Sequence, residues 1–126
     1  MAEAGLAVKP GWVVQGNFEL ELAEKVAFEL IKSGVTAIFA ANDVMATAAL
    51  RALKTLKIRV PQDIALVGMD DLEFAAWSNP SLTTVRYDIR ALAEQATKYV
   101  IRRAQSPLIP TTMLGDVPSP ELIIRE

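Results

Sequence analysis

Residues 39–85 read FAANDVMATAALRALKTLKIRVPQDIALVGMDDLEFAAWSNPSLTTV, and this stretch decides the fold. The apolar run Ala37-Ile38-Phe39-Ala40-Ala41 breaks off at Asn42. A second, Ile64-Ala65-Leu66-Val67-Gly68, gives way to Asp70. A helical pattern follows each break. Apolar run, polar stop, helix is how parallel strands read in an α/β sheet, because both faces of such strands are covered. Ligands of these sheets sit outside the carboxyl ends of the strands. Asn42 and Asp70 therefore stand where a small polar molecule would be held.

Working outward, Ala2 to Leu6 read as a last helical turn closed by Gly5, and Trp12-Val13-Val14 as a short strand. Asn17 precedes an acidic first turn, Glu19 and Glu21, which suits a helix start. Ala23, Val26, Ala27, Leu30 and Ile31 then form one apolar face, closed by Lys32 and Gly34. Strand 36–41 follows, then a helix begun by Asn42 and Asp43. Its buried stripe is Met45, Ala49, Ala52, Leu53 and Leu56. Val60-Pro61-Gln62-Asp63 is a turn before strand 64–68. Asp71 opens a short helix ending near Trp77. Residues 83–87 are extended, and Asp88 begins a helix to about Arg103. Met113-Leu114 and Leu122-Ile123-Ile124 read as strands. The fold class is thus α/β, a mostly parallel sheet with helices on both faces and right-handed crossovers.

Composition narrows the chemistry. The 126 residues suffice for one domain with a core. There is no cysteine, which excludes disulfides and thiolate chemistry, and no histidine, the commonest general base and zinc ligand. The net charge of −2 is interspersed, unlike a nucleic-acid footprint. No apolar run approaches the ~20 residues of a membrane span. The opening MAEAGLAVKPGW has neither basic flank nor long apolar core, so no signal peptide is read.

The strings FAANDVMATAALRAL, RVPQDIALVGMDD and NPSLTTV, in this order and spacing, resemble the LacI/GalR family of bacterial transcription regulators. The flanks VVQGNFELE and PELIIRE do so too. The resemblance implies a periplasmic-binding-protein-like fold and places residues 1–126 in the C-terminal subdomain of the effector-binding domain, truncated at its N-terminus. The helix over 88–105 is then expected to pack on the missing N-terminal subdomain. The implied function is effector sensing: a small molecule in the cleft between subdomains alters operator affinity. DNA would be contacted only through the absent N-terminal helix-turn-helix. Members often carry GFDD or GYDD where this chain has Gly68-Met69-Asp70-Asp71, and glycine where Ala48 and Ala93 lie.

On that resemblance, Asp70 and Asn42 are the leading ligand contacts. A carboxylate and an amide suit the hydroxyl pairs of a sugar. Each also fits a helix N-terminus, a role assigned more readily to Asp71 and Asp43. Phe18 is either a ring stacked on the ligand or a hydrophobic staple. Tyr87 and Asp88 lie where the chain crosses between subdomains, and otherwise read as a strand end and a helix cap. Met45, Ala49, Leu53, Phe74 and Trp77 read as core, and the resemblance places their helices at a homodimer interface. The expected partner is a carbohydrate effector, with a nucleobase as the other candidate. No cofactor or metal, enzymatic activity or membrane contact is expected, and the setting is the cytoplasm.

Two other readings compete. Half of a periplasmic sugar-binding protein would share the fold, but the lack of a signal peptide and the segment from Val60 to Thr84 speak against it. A Mg²⁺-binding phospho-receiver or enzyme of flavodoxin-like fold would use Asp70-Asp71 as an acidic pocket. Arg86 or Tyr87 occupies the region where a receiver needs lysine.

Overall fold

A computed structural model describes residues 3, 5, 7–106 and 119–125. The chain divides into two units, one of residues 1–85 with 122–126 and one of residues 86–121. In the larger unit, α1 (Leu20–Lys32) leads into β1 (Ala37–Phe39), α2 (Asp43–Thr55), β2 (Ala65–Met69) and α3 (Glu73–Trp77). Next come β3 (Thr83–Arg86), α4 (Ile89–Gln105) and β4 (Glu121–Ile123). The four strands form one sheet in the order β1-β2-β3-β4, with β1, β2 and β3 parallel.

Helix α1 buries Ala23, Ala27, Leu30 and Ile31, spaced to share one face. It ends where Ser33 donates from Oγ to the Leu30 carbonyl at 2.6 Å and Gly34 takes φ +81°. Helix α2 turns Ala46, Ala49, Leu50, Ala52 and Leu53 into the same core. So many small side chains let α1 and α2 lie against each other, and Arg51 of α2 ties to Glu24 of α1 at 3.1 Å. Ile38 and Leu66 close the core from the sheet. Each of these larger apolar side chains contributes about 1.5–3 kcal/mol by leaving water.

Strand alternation positions everything that follows. Ile38, Leu66, Gly68 and Thr84 are buried on the side of the core. Their neighbours Ala37, Phe39 and Ala65 are exposed, and Val67 and Met69 are half-buried. Among the described residues of the larger unit, α1 and α2 thus cover one face of the sheet.

Several sequence expectations change. Trp12-Val13-Val14 is not a strand. A strand needs a hydrogen-bonded neighbour, and these residues instead line an apolar groove of about 280 Å³ together with Ile38 and Phe39. Asn17 does not cap α1: the cap position is Glu19, with no side-chain bond, and Asn17 and Phe18 take left-handed φ of 49° and 59°. Asp71 does not open α3, whose cap position is Leu72. The strand read at Met113-Leu114 and most of the turn at Ala2 to Leu6 lie outside the described residues.

In the second unit, α4 has no buried residue. Asp88 caps it, accepting from the Ala91 amide at 2.9 Å. Ile89, Leu92, Val100 and Ile101 are each about half exposed or more.

Candidate functional site

The site begins with register. Phe39 stands opposite Val67, and the Ala40 amide donates to the Val67 carbonyl at 2.9 Å. Asn42 follows β1 by three residues and Asp70 follows β2 by one, so each stands just past the carboxyl end of one of these neighbouring parallel strands. The Asp70 amide donates to the Val85 carbonyl at 2.9 Å, which ties the end of β2 to β3.

Asn42 caps α2, its Oδ1 accepting from the Met45 amide at 2.8 Å. The cap uses the side-chain oxygen and leaves the Nδ2 group with both of its protons. The structure thus gives Asn42 the helix-cap role that its sequence position also allowed.

Asp70 and Asp71 behave differently although adjacent. Both take positive φ, 108° and 53°, which costs an L-residue roughly 1–2 kcal/mol each. The Asp71 carboxylate, 9% exposed, pairs with the Arg125 guanidinium at 2.6 Å. Arg125 also donates to the Leu82 carbonyl at 3.0 Å, and its backbone amide donates to Thr83 Oγ1 at 2.9 Å. Asp71 is thus a structural anchor between the β2–α3 turn and the chain end, not a helix cap. Asp70 remains half-buried at the strand end. Burial, and secondarily the nearby charge of Asp43, pushes its carboxyl above the ordinary aspartate range.

Asp43, read from sequence as a cap or a dipole partner, is fully buried. Its Oδ1 accepts from Thr84 Oγ1 at 2.6 Å and its Oδ2 from the Leu72 amide at 2.8 Å. Thr84 Oγ1 is also 3.3 Å from the Asp71 amide, which donates to it. Gly68 passes so close that a Cβ there would overlap Asp43 Oδ1. Sequence reasoning missed Asp43, Thr84, Arg125 and the need for glycine at 68. The one signal available was a polar Thr84 at the buried register position of β3.

Phe18 is 65% exposed, so it is not folded down as a staple. Its segment nevertheless reaches α2, since a Cβ on the buried Gly16 would stand 2.9 Å from Met45 Cε. Phe18 thus presents an exposed ring two residues beyond the point where its segment approaches α2. Tyr87 and Asp88 belong to the second unit, Tyr87 half-buried and Asp88 engaged as the α4 cap.

The interface residues divide. Leu53 has no exposed surface and Ala49 has 3%, so neither has surface to offer a second copy, and both are core within the chain. Met45 packs partly against the core. Phe74 and Trp77 line an apolar depression with Leu20, Val44 and Thr47, and Trp77 is 71% exposed.

The Mg²⁺ pocket reading meets a direct obstacle, because Asp71 is already neutralised by Arg125. Among the described residues, no group of three or more His, Cys, Asp or Glu is placed to hold a metal ion. Among them, no helix is long and apolar enough to cross a membrane.

A domain profile described as periplasmic binding protein-like matches residues 1–126. The chain belongs to the periplasmic-binding-protein-like domain family, in its LacI type. It is 35% identical over 128 residues to the HTH-type transcriptional repressor PurR of Photobacterium profundum, covering 100% of this chain and 38% of that protein. A structure described as a LacI-family transcriptional regulator from Sanguibacter keddieii superposes with TM-score 0.79 at 30% identity, over 99% of this chain and 47% of that one. The regulator CelR, solved as a cellobiose complex, superposes with TM-score 0.82 at 28% identity, over 99% of this chain and 38% of that one. The LacI-type chain thus spans less than half the length of these relatives and is part of an effector-binding domain. The relatives are transcriptional regulators.

Proposed function

We propose that this LacI-type chain forms one wall of an effector pocket in a transcription regulator, with Asp70 and Asn42 as its hydrogen-bonding groups. The observation that carries the reading is their common place at the carboxyl end of β1 and β2. One offers an acceptor pair and the other an uncommitted amide. Phe18 supplies an exposed ring at the rim, and Tyr87 and Asp88 belong to the crossing toward the other subdomain. The effector is a carbohydrate, which the cellobiose complex of CelR supports. A nucleobase is the other outcome of a ligand screen.

The exposed apolar residues of α4 support its docking on an N-terminal subdomain. Operator DNA is contacted through a separate helix-turn-helix, and effector binding shifts the population between two cleft closures with different operator affinity. The assembly is a homodimer joined through Trp77 and Phe74, with Met45 alongside, and it acts in the cytoplasm without catalysis.

Substitution tests this directly. In the whole regulator, Asp70→Ala abolishes the effector response and leaves operator binding intact. The 126-residue chain alone, holding half a pocket, binds cellobiose, lactose and hypoxanthine no tighter than about 1 mM. An Asp70→Ala regulator that still answers its effector would refute the role of Asp70.

A further inference from the structure

Asp43 is a buried carboxylate whose two oxygens serve two different elements, and neither serves the helix that carries it. Asn42 already caps α2, so the helix does not need Asp43 for that purpose. Desolvating a carboxylate is costly unless its lone pairs are engaged. Here they are engaged by Thr84 Oγ1 on β3 and by the Leu72 amide at the start of α3. The helix N-terminus adds favourable partial charge. Between Leu72 and β2 lie Asp70 and Asp71, both at positive φ. Such conformations persist where the surroundings over-determine them. The Asp43 carboxylate fixes one end of this turn at Leu72. Through Thr84 it also reaches the Asp71 amide. Gly68, kept free of a Cβ, leaves the space in which the carboxylate sits.

We propose that Asp43 is a positioning residue: by holding Leu72 and Thr84, its carboxylate fixes the strained Asp70–Asp71 turn and so sets where the effector-contacting Asp70 stands relative to Asn42. The inference rests on the reading of Asp70 as an effector contact. Asn42 and Asp43 thereby divide the work of one dipeptide, the first facing the ligand and the second holding the other ligand group in place.

NMR on the 126-residue chain, without effector, tests this. The readouts are amide exchange at Leu72 and the titration of the Asp70 side-chain carboxyl carbon. In Asp43→Ala, the Leu72 amide should exchange about tenfold faster or more, while the Leu53 amide in the core keeps its protection. In Asp43→Asn, the side-chain oxygen can still accept from Leu72 and the amide can donate to Thr84. Leu72 protection should then return to within about threefold of the parent chain. The same variant removes the neighbouring charge, so the Asp70 titration midpoint should fall. Filling a structural gap would not produce that split between protection and titration. If Asp43→Ala does not fold, Thr84→Val carries the first arm and should also expose the Leu72 amide. Unchanged Leu72 exchange in a folded Asp43→Ala or Thr84→Val chain, or an unmoved Asp70 midpoint in Asp43→Asn, would overturn the proposal. Failure of the Asp70 reading looks different: the Asp70→Ala regulator would respond normally, whatever the NMR of Asp43 variants shows.

Discussion

Gly68→Ala is the smallest change that should strike the site through its scaffold. A Cβ at this position overlaps Asp43 Oδ1 and stands 3.1 Å from Ala46 Cβ and 3.2 Å from Leu82 Cδ2. All three neighbours are buried, so none can move aside into water. Forcing an extra methyl into a packed interior costs about 1–3 kcal/mol. The carboxylate must also swing away from Thr84 Oγ1 or the Leu72 amide, and each bond to a charged acceptor contributes about 1.5–3 kcal/mol. With one of the two bonds surviving, the loss is about 2.5–6 kcal/mol, a large part of a domain's ~5–15 kcal/mol. Urea unfolding followed by fluorescence of Trp12 and Trp77 measures it. The decisive arm is the background of Asp43→Ala, where the main overlap is gone and Gly68→Ala should cost far less. Equal cost in both backgrounds, or a cost under about 1 kcal/mol in the parent, would refute the reasoning.

Asp70 makes a pH-dependent prediction. Its folded pKa is raised above the ordinary 3.8, so the folded state holds the extra proton and stability falls as pH rises through the interval between the two values. Asp70→Asn removes that loss, so its advantage in urea midpoint over the parent should widen from pH 3 to pH 7; a constant difference would contradict it. Asp63 runs the opposite way. Held at about 2, first by its side-chain hydrogen bond with Arg59, it contributes stability above pH 3.8 that is lost as pH falls through about 2. A ¹³C titration of Asp63 in Arg59→Met should show the midpoint return upward, and an unmoved midpoint would dissolve the pair. On the proposed homodimer, the chain should sediment as a dimer at micromolar concentration and Trp77→Ser should shift it toward monomer; an unchanged dimer would move the interface elsewhere, and a monomeric parent would overturn the dimer.

What the sequence discloses and what it hides follow from how far apart the partners lie. Helix α2 and its cap are local: Asn42 accepts from a residue three positions on, and the apolar stripe repeats within a few turns. Strands β1 and β2 are legible because each is a short apolar run ended by a polar residue, although only Ile38, Leu66 and Gly68 of those strands are buried here. Trp12-Val13-Val14 has the composition of a strand, but a strand is defined by its neighbour, and no local pattern says whether one is present. The scaffold of the site is non-local. Thr84 and Asp43 are 41 positions apart, Asp71 and Arg125 are 54 apart, and nothing in either neighbourhood points to the other.

The dipeptides Asn42-Asp43 and Asp70-Asp71 sharpen the point. In Asn42-Asp43 the cap falls to the first residue, because its side chain meets the Met45 amide and the helix begins immediately after it. In Asp70-Asp71 neither residue caps α3, since the turn through positive φ puts Leu72 in the cap position. The sequence reading gives the cap in each pair to the second member, Asp43 or Asp71, and the structure gives it to neither. The fold separates the members of each pair by giving one a buried partner and leaving the other at the strand end. Asp43 is engaged by Thr84 and Leu72, and Asp71 by Arg125, which is why the proposed effector contacts fall to the amide of Asn42 and the carboxyl of Asp70. The same partition makes Asp43→Ala and Asp70→Ala different experiments. The first should loosen the turn that carries the contact, and the second should remove the contact from a turn that stays in place.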